Sequence, residues 1–123
     1  MTNATALPAR ILLVEDEYLI RMLLEDMVAD LGHNVIAAVG TIAEARALAS
    51  TGDFHAAILD VNVDGEKIFP VADILTERGL PFAFLTGYGE NSLPDAYRGR
   101  PALLKPFQVA QLESTLNGLL AVA

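Results

Sequence analysis

The 123-residue chain contains no cysteine and no tryptophan. The absence of cysteine excludes disulfide bonds, thiolate metal sites and cysteine nucleophiles, and it is compatible with a reducing compartment. Basic residues are scarce as well, because eight lysines and arginines stand against sixteen aspartates and glutamates, which gives a formal net charge of -8. A protein that binds the phosphate backbone normally presents a basic face, so direct binding of nucleic acid is not expected.

Long apolar runs are also missing from the sequence. No run approaches the roughly 20 residues that span a bilayer, and the opening MTNATALPA lacks the basic start and apolar stretch of a secretory signal. These absences predict a cytoplasmic protein with no membrane partner. The length fits one domain, and a hydrophobic content of 53% suffices for one buried core. Residues 1–9 are expected to form a flexible tail, and residues 10–121 a single domain.

Short apolar runs alternate along the chain with segments in which apolar residues recur every three or four positions. The runs predict buried strands, and the periodic segments predict helices with one apolar face. The predicted strands are 10–14, 34–38, 56–59, 82–85 and 102–104; the predicted helices are 20–31, 41–50, 67–78, a short 91–97, and 108–120. Thr41 and Glu44 have the spacing of a capping box. Five strands alternating with five helices predict an α/β fold with a parallel sheet between helical layers.

Polar side chains follow directly after several of the predicted strands. In parallel α/β sheets, ligand sites lie outside the carboxyl ends of the strands, near the point where the strand order reverses. The residues just past the strands are therefore expected to converge at one edge of the sheet. They are Glu15, Asp16, Asp60, Thr86 and Lys105.

The chemistry of this set is consistent with phosphoryl transfer. Close carboxylates repel one another unless a cation neutralises them, and an all-oxygen ligand set favours Mg2+ over zinc. A carboxylate can attack phosphorus to give an aspartyl-phosphate, and the phosphoryl oxygens then need donors and positive charge around them. Thr86, Lys105 and the metal would supply these, and Gly87 leaves space beside Thr86. Taken singly, each residue has a plain structural explanation, such as compensation of a helix dipole, a turn or an exposed surface.

The segments LLVEDE, ILDVNVDG, FLTGYG and LLKPF, in this order, resemble the receiver domain of two-component response regulators. The resemblance runs from about Arg10 to Leu120. It implies a doubly wound, flavodoxin-like fold and phosphorylation by a histidine kinase or a His-containing phosphotransfer protein. Because only three residues follow the last predicted helix, no attached output domain is expected. FLTGYG is similar to the signature of the FATGUY-type subgroup, which is linked to stress-response phosphorelays. Leu85 stands where that signature has alanine, and no residue separates Gly87 from Tyr88.

The resemblance also implies a role for each site residue. Asp60 would accept the phosphoryl group, Asp16 would bind Mg2+ directly, and Glu15 would act on the metal through water. Thr86 would be the hydroxyl that moves toward the phosphoryl group. Lys105 would pair with that group.

Two further positions follow from the same resemblance. Asn62 would offer its backbone carbonyl to the metal. Asn62 and Tyr88 lie two residues beyond Asp60 and Thr86, where receiver domains tune the lifetime of the phosphoryl bond. Gly87 belongs to the same switch segment.

Three departures from the usual receiver pattern limit what can be carried over. Glu15 replaces the first aspartate of the usual acid pair, and the loop after Asp60 is short and lacks the customary proline. Ala102 stands where most receivers have an aromatic residue that flips with the switch threonine, so that coupling is not implied here. Tyr88 is a candidate substitute; the alternative is that it packs against the short fourth helix.

Two surfaces are expected to contact other proteins. The signal would leave through the face made by the fourth predicted helix, the fifth strand and the fifth helix, toward a downstream protein partner. The phosphodonor is expected at the first helix, with Tyr18, Leu19 and Met22 as exposed contacts. The alternative is that Leu19 and Met22 are partly core.

Two other functions compete with this interpretation. An aspartyl-phosphate hydrolase commonly has a second aspartate two residues after the nucleophile, and Asn62 at that position cannot donate a proton in the same way. A degenerate receiver would be a phosphorylation-independent protein-binding module, which the intact Asp16, Asp60, Thr86 and Lys105 argue against. No enzyme activity is expected beyond self-phosphorylation and slow autodephosphorylation.

Overall fold

The computed structural model describes residues 8–87 and 93–121. The strands are β1 (Arg10–Val14), β2 (Asn34–Val39), β3 (Ala56–Asp60), β4 (Asn62–Val63), β5 (Glu66–Lys67), β6 (Phe82–Thr86) and β7 (Ala102–Leu104). The helices are α1 (Tyr18–Asp30), α2 (Ile42–Thr51), α3 (Phe69–Arg78) and α4 (Val109–Leu120), with a 3-10 turn at Asp95–Tyr97. Most of the predicted tail lies outside the described residues. None of the helices described is both long and apolar enough to cross a membrane.

Five parallel strands form the central sheet in the order β2-β1-β3-β6-β7. From β1 the chain adds β2 on one side and then β3 on the other, so the strand order reverses between β1 and β3. This is the doubly wound arrangement, and it confirms the predicted α/β fold. The reversal places the carboxyl ends of β1 and β3 beside a crevice, the usual position of a ligand site in such sheets.

The two faces of the sheet have separate cores, because successive strand side chains point in opposite directions. Leu12 and Leu59 pack with the apolar stripes of α2 and α3 on one face. Leu13 and Ile58 pack with α1 and α4 on the other face. All four side chains are fully buried, and burying a leucine or isoleucine contributes about 1.5–3 kcal/mol each. The central strands are thereby fixed from both sides.

Helix α1 buries a narrower stripe than the sequence predicts. Leu24 and Val28 are fully buried, as expected, but Leu23 is 46% exposed, so its assignment to the apolar face was wrong. Leu23 lies at the edge of the stripe, where the packed layer no longer covers the helix. Leu19 and Met22 are 77% and 40% exposed. The alternative that these two residues are partly core is therefore not supported.

Thr41 caps the first turn of α2 as predicted, but the Glu44 carboxylate contacts the Thr41 hydroxyl, where a complete capping box would have it accept from the Thr41 amide. The amide of Glu44 donates to Thr41 Oγ1 at 3.2 Å, and the Thr41 hydroxyl donates to Glu44 Oε1 at 3.0 Å. We expect Thr41→Ala to lower the free energy of unfolding by about 1 kcal/mol, because the amide loses its acceptor. Urea denaturation measures the effect. Thr51→Ala is the control, since the Thr51 hydroxyl only donates back to the Ala47 carbonyl, and equal losses in both variants would contradict the prediction.

The third helix begins later than predicted, at Phe69 instead of residue 67. Residues 66–67 pair antiparallel with residues 62–63 in a two-residue hairpin. Its turn is Asp64-Gly65, with φ values of 52° and 81°. Asp-Gly is a preferred pair for such turns because both positions need positive φ. The signal was present in the sequence, but the predicted helix starts at residue 67, inside the second strand of this hairpin.

The predicted fourth helix at 91–97 is not an α-helix in the part that is described. Only a 3-10 turn is present there, at Asp95–Tyr97, and residues 91–92 lie outside the described residues. Pro94 precedes this turn with an extended ψ of 156°, and proline disfavours helical backbone in the residue before it. The described residues therefore contain four α-helices, and the prediction of five was wrong for them.

Candidate functional site

The register of the sheet brings the polar strand ends together. Asp60 in β3 lies opposite Leu85 in β6, and Thr86 lies opposite Leu104 in β7. The amide of Lys105 donates to the carbonyl of Thr86 at 2.9 Å, which extends the pairing one residue past β7. Each of these side chains therefore starts from the same edge of the sheet.

Three carboxylates meet at this edge. Glu15, Asp16 and Asp60 each place one oxygen within 4.8 Å of the others. Glu15 is fully buried and Asp60 is 6% exposed, whereas Asp16 is exposed. Backbone amides orient the Glu15 and Asp16 carboxylates. The Glu17 N–H donates to Glu15 Oε2 at 2.9 Å, and the Asp64 N–H donates to Asp16 Oδ2 at 3.0 Å. The cluster is thus held by backbone donors as well as by the strands.

Lys105 provides the positive charge beside these acids. Its Nζ lies 3.1 Å from Glu15 Oε1 and 3.3 Å from Asp60 Oδ2. The ammonium donates a hydrogen bond to Asp60, but the buried Glu15 Oε1 accepts no hydrogen bond of good geometry. One oxygen of the buried glutamate therefore has only an electrostatic partner.

Burial and crowding change the acidity of this cluster. Burial, together with the hydrogen bond and charge of Asp60, raises the pKa of Glu15 to about 7, against the opposing effects of the Glu17 amide and Lys105. Burial is the largest single influence on Asp16 and acts to raise its pKa, but hydrogen bonds from the Asp64 amide and other neighbours, together with the charge of Lys105, outweigh it, so the pKa of Asp16 is lowered. The pKa of Lys105 is raised despite its burial, because Glu15 and Asp60 favour the ammonium. Without a cation the cluster therefore tends to keep a proton near neutral pH.

A pocket opens beside the acids. Asp60, Asn62, Thr86, Gly87 and Lys105 are among its lining residues. Thr86 is 3% exposed, and a Cβ atom added to Gly87 would meet no atom within 4 Å. Among the described residues nothing fills the space beside Gly87, and its use by a phosphoryl group stays a prediction.

The two predicted tuning positions have different outcomes. Asn62 begins the short hairpin, and its amide donates to Asp60 Oδ1 at 3.4 Å. Tyr88 lies outside the described residues, so its predicted part in the switch has no structural description here. The roles assigned to the individual site residues remain predictions.

Comparison with known proteins gives the family. No family model matches the chain. The phyllosphere-induced regulator PhyR of Methylorubrum extorquens is 39% identical over 119 residues, which cover 93% of this chain and 44% of PhyR. The chain spans about half the length of the curated relatives that it matches.

Solved structures match the chain over nearly its whole length. SdrG from Sphingomonas melonis superposes with a TM-score of 0.82 at 44% identity, covering 92% of this chain and 97% of SdrG. The receiver domain of the response regulator PhyR from Erythrobacter litoralis has a TM-score of 0.80 at 30% identity, with coverages of 93% and 91%. The chain belongs to the response-regulator receiver family. SdrG is also known in a BeF3-activated conformation.

This receiver domain builds its aromatic cluster without an aromatic residue at position 102. Ala102 is half-buried in β7, and Tyr97 from the 3-10 turn is buried nearby in the same core. The Tyr97 ring stacks on Phe69 at 5.8 Å between centroids, and its hydroxyl donates to the carboxylate of Asp73 on α3. Tyr97, from the turn before β7, therefore joins the phenylalanines of this core and is tied to α3.

Sequence reasoning missed two residues of the receiver site. Asp64 supplies the amide that holds Asp16, and Lys67 adds a second cation to the pocket lining. Both depend on the hairpin that turns the chain back after β3. The Asp64-Gly65 pair was the signal that could have revealed them.

Proposed function

We propose that this receiver domain accepts a phosphoryl group on Asp60 with Mg2+ bound. It then signals by a conformational change or relays the phosphate onward. The observation that carries the proposal is the convergence of three carboxylates within 4.8 Å of one another, with the Lys105 ammonium 3.3 Å from Asp60. A nucleophile, a metal site and a cation for the phosphoryl oxygens thus lie at one pocket.

The acid cluster fits Mg2+. Its donors are all oxygens, as this ion prefers, and the buried Glu15 Oε1 has the Lys105 ammonium as an ionic neighbour but accepts no hydrogen bond of good geometry. Asp16 would bind the ion directly, Glu15 through water, and Asn62 through its backbone carbonyl. When bound, the ion would neutralise the acids and the charge on the incoming phosphoryl group.

The remaining side chains have complementary tasks in the transfer. A carboxylate oxygen of Asp60 forms the bond to phosphorus while the bond from phosphorus to the donor's histidine nitrogen breaks. Lys105 pairs with a phosphoryl oxygen, and Thr86 donates its hydroxyl to another. Gly87 keeps the entry open. Asn62 and Tyr88 flank the group and would tune its lifetime.

Exposed apolar side chains on α1 support a protein phosphodonor, either a histidine kinase or a His-phosphotransfer protein. Tyr18 is 62% exposed and Leu19 77% exposed, and clustered apolar residues on a surface commonly mark a docking site. On the opposite edge, Leu104 in β7 and Val109 in α4 are 50% and 44% exposed. This second face would contact the downstream protein. With a net charge of -8 the chain is not proposed to bind nucleic acid.

The relatives support a stress-response setting. Solved PhyR proteins are described as a stress response regulator and as an anti-anti-sigma factor. We extend the general stress response to this chain as part of the proposal. The alternative function is a degenerate receiver that binds protein without phosphorylation.

Amide NMR tests the proposal and separates the alternatives. Wild-type protein with Mg2+ and beryllofluoride or acetyl phosphate is expected to shift near Thr86 and Lys105. Asp60→Ala is expected to show none of these shifts, because the acceptor oxygens are gone. If neither protein shows chemical-shift changes near Thr86 and Lys105, the degenerate receiver is favoured. Turnover of phosphomonoesters would favour a hydrolase.

A further inference from the structure

Arg21 on α1 reaches back over the loop that carries the acid pair. Its Nη1 donates to the backbone carbonyl of Glu15 at 2.9 Å. This carbonyl belongs to the peptide unit that joins Glu15 to Asp16. The guanidinium also lies 5.7 Å from the ring centroid of Tyr18. One long side chain therefore restrains the peptide between two of the three clustered carboxylates.

Gly40, between β2 and α2, leaves room for this guanidinium. A Cβ atom at Gly40 would lie 2.5 Å from Arg21 Nη1, but 3.6 Å from both Glu15 O and Asp16 Cα. The backbone of Gly40 is not among those with positive φ, so an alanine there would not be strained. An added methyl group would thus displace the Arg21 side chain and leave the acidic loop untouched.

The other restraints on this loop act on different atoms. The amide of Glu15 donates to the carbonyl of Val39 at 3.0 Å, which holds the end of β1 against β2. The Glu17 and Asp64 amides hold the carboxylate groups themselves. Within the described part of this loop, the hydrogen bond from Arg21 is the one that fixes the peptide between the acids.

We infer that Arg21 is a positioning residue for the metal site, and that the absence of a side chain at Gly40 leaves the space that the Arg21 guanidinium requires. This inference rests on the proposed function. Arg21 holds the peptide so that the Glu15 and Asp16 carboxylates both face Asp60. Charge alone would have the opposite effect, because a cation near the acids repels Mg2+. The sign of the change in Mg2+ affinity therefore distinguishes positioning from charge.

Mg2+ titration followed by amide NMR measures that sign. We expect Arg21→Met to weaken Mg2+ binding about tenfold, the equivalent of one lost hydrogen bond. Gly40→Ala is expected to weaken it to a similar extent, although it removes no charge. The double variant should be no weaker than Arg21→Met alone, because both changes break the same contact.

Matched controls accompany the two variants. Arg46→Met removes an exposed arginine from α2, and Gly118→Ala adds a methyl group on α4 with no atom within 4 Å. Both controls should stay within about twofold of wild type, as expected for surface substitutions. Tighter binding by Arg21→Met together with unchanged binding by Gly40→Ala would overturn the inference and assign Arg21 a purely electrostatic effect.

Hydrogen exchange in the metal-free protein gives an independent readout. The amides of Glu17 and Asp64 should exchange about tenfold faster in Arg21→Met and Gly40→Ala, because their carboxylate acceptors lose orientation. The amide of Ile58 in the buried β3 strand serves as the reference for global opening. Unchanged rates at Glu17 and Asp64 would overturn the inference. If the wild type failed to bind Mg2+, the proposed function would fail, and the exchange rates would still decide the role of Arg21.

Discussion

Lys105→Met is expected to tighten Mg2+ binding about tenfold and to remove most of the beryllofluoride response at Thr86. The Lys105 ammonium lies 3.1 Å from Glu15 and 3.3 Å from Asp60, so it competes with any cation for these acids. A unit charge a few ångströms away changes the energy of a bound ion by about 1–4 kcal/mol near a protein surface. The lower part of that range is already a factor of about ten in affinity. The response falls because the phosphoryl mimic loses its cationic partner.

The variant is expected to bind Mg2+ more tightly and yet to respond less to beryllofluoride, and this combination makes the test specific. Mg2+ affinity comes from a titration of amide shifts, and the response from spectra recorded with beryllofluoride at saturating Mg2+. Lys67→Met is the matched control, because Lys67 lines the same pocket but is exposed. It should change the affinity no more than about twofold, as an exposed charge is screened by solvent. Weaker Mg2+ binding by Lys105→Met would contradict the arrangement described here.

Glu15→Gln is expected to raise the free energy of unfolding by about 3 kcal/mol at pH 8 in the absence of Mg2+. The folded protein raises the pKa of Glu15 from 4.5 to about 7, so the folded state keeps a proton that the unfolded state loses. Each pKa unit corresponds to 1.36 kcal/mol. The stability of the wild type therefore falls as pH rises from about 4.5 through about 7. Glutamine carries no such charge at any pH.

Urea denaturation at pH 4.5 and pH 8 measures this difference. The advantage of Glu15→Gln should largely disappear at pH 4.5, where the wild-type glutamate is protonated in the folded state. Glu17→Gln is the control, since Glu17 is an exposed acid two residues away, and its effect should stay within about 0.5 kcal/mol. A variant advantage that is equal at both pH values would show that packing, not ionisation, separates the two proteins.

The strands could be predicted because their sequences are unambiguous. Runs such as Ile11–Val14 and Ala56–Leu59 have no polar interruption, as expected for strands covered on both faces, and both are fully buried. The strand ends then indicated the site, because parallel strands deliver their carboxyl ends to one edge. Asp60, Thr86 and Lys105 were identified in this way, and the structure places all three at one pocket.

Features that depend on distant geometry could not be predicted. Arg21 reaches the space at Gly40 because β2 lies beside β1, and no local pattern encodes that contact. Local signals failed where two of them overlapped. The apolar stripe that includes Ile68 suggested a helix from residue 67, but the turn at Asp64-Gly65 placed Lys67 in a strand. The exposed Leu23 shows that hydrophobic spacing alone does not fix the width of a buried face.

Both lysines of the chain, Lys67 and Lys105, line the same pocket. These two lysines are therefore the only side chains that an amine-specific acylating reagent can modify. A terminal amine would be the other target. Lys67 is exposed, whereas the Lys105 side chain is 23% exposed and paired with two carboxylates, so Lys67 should be labelled first. The extent of acylation at Lys105, read by mass spectrometry, would then report how strongly the acids hold its ammonium and whether a bound ion or anion has changed that hold.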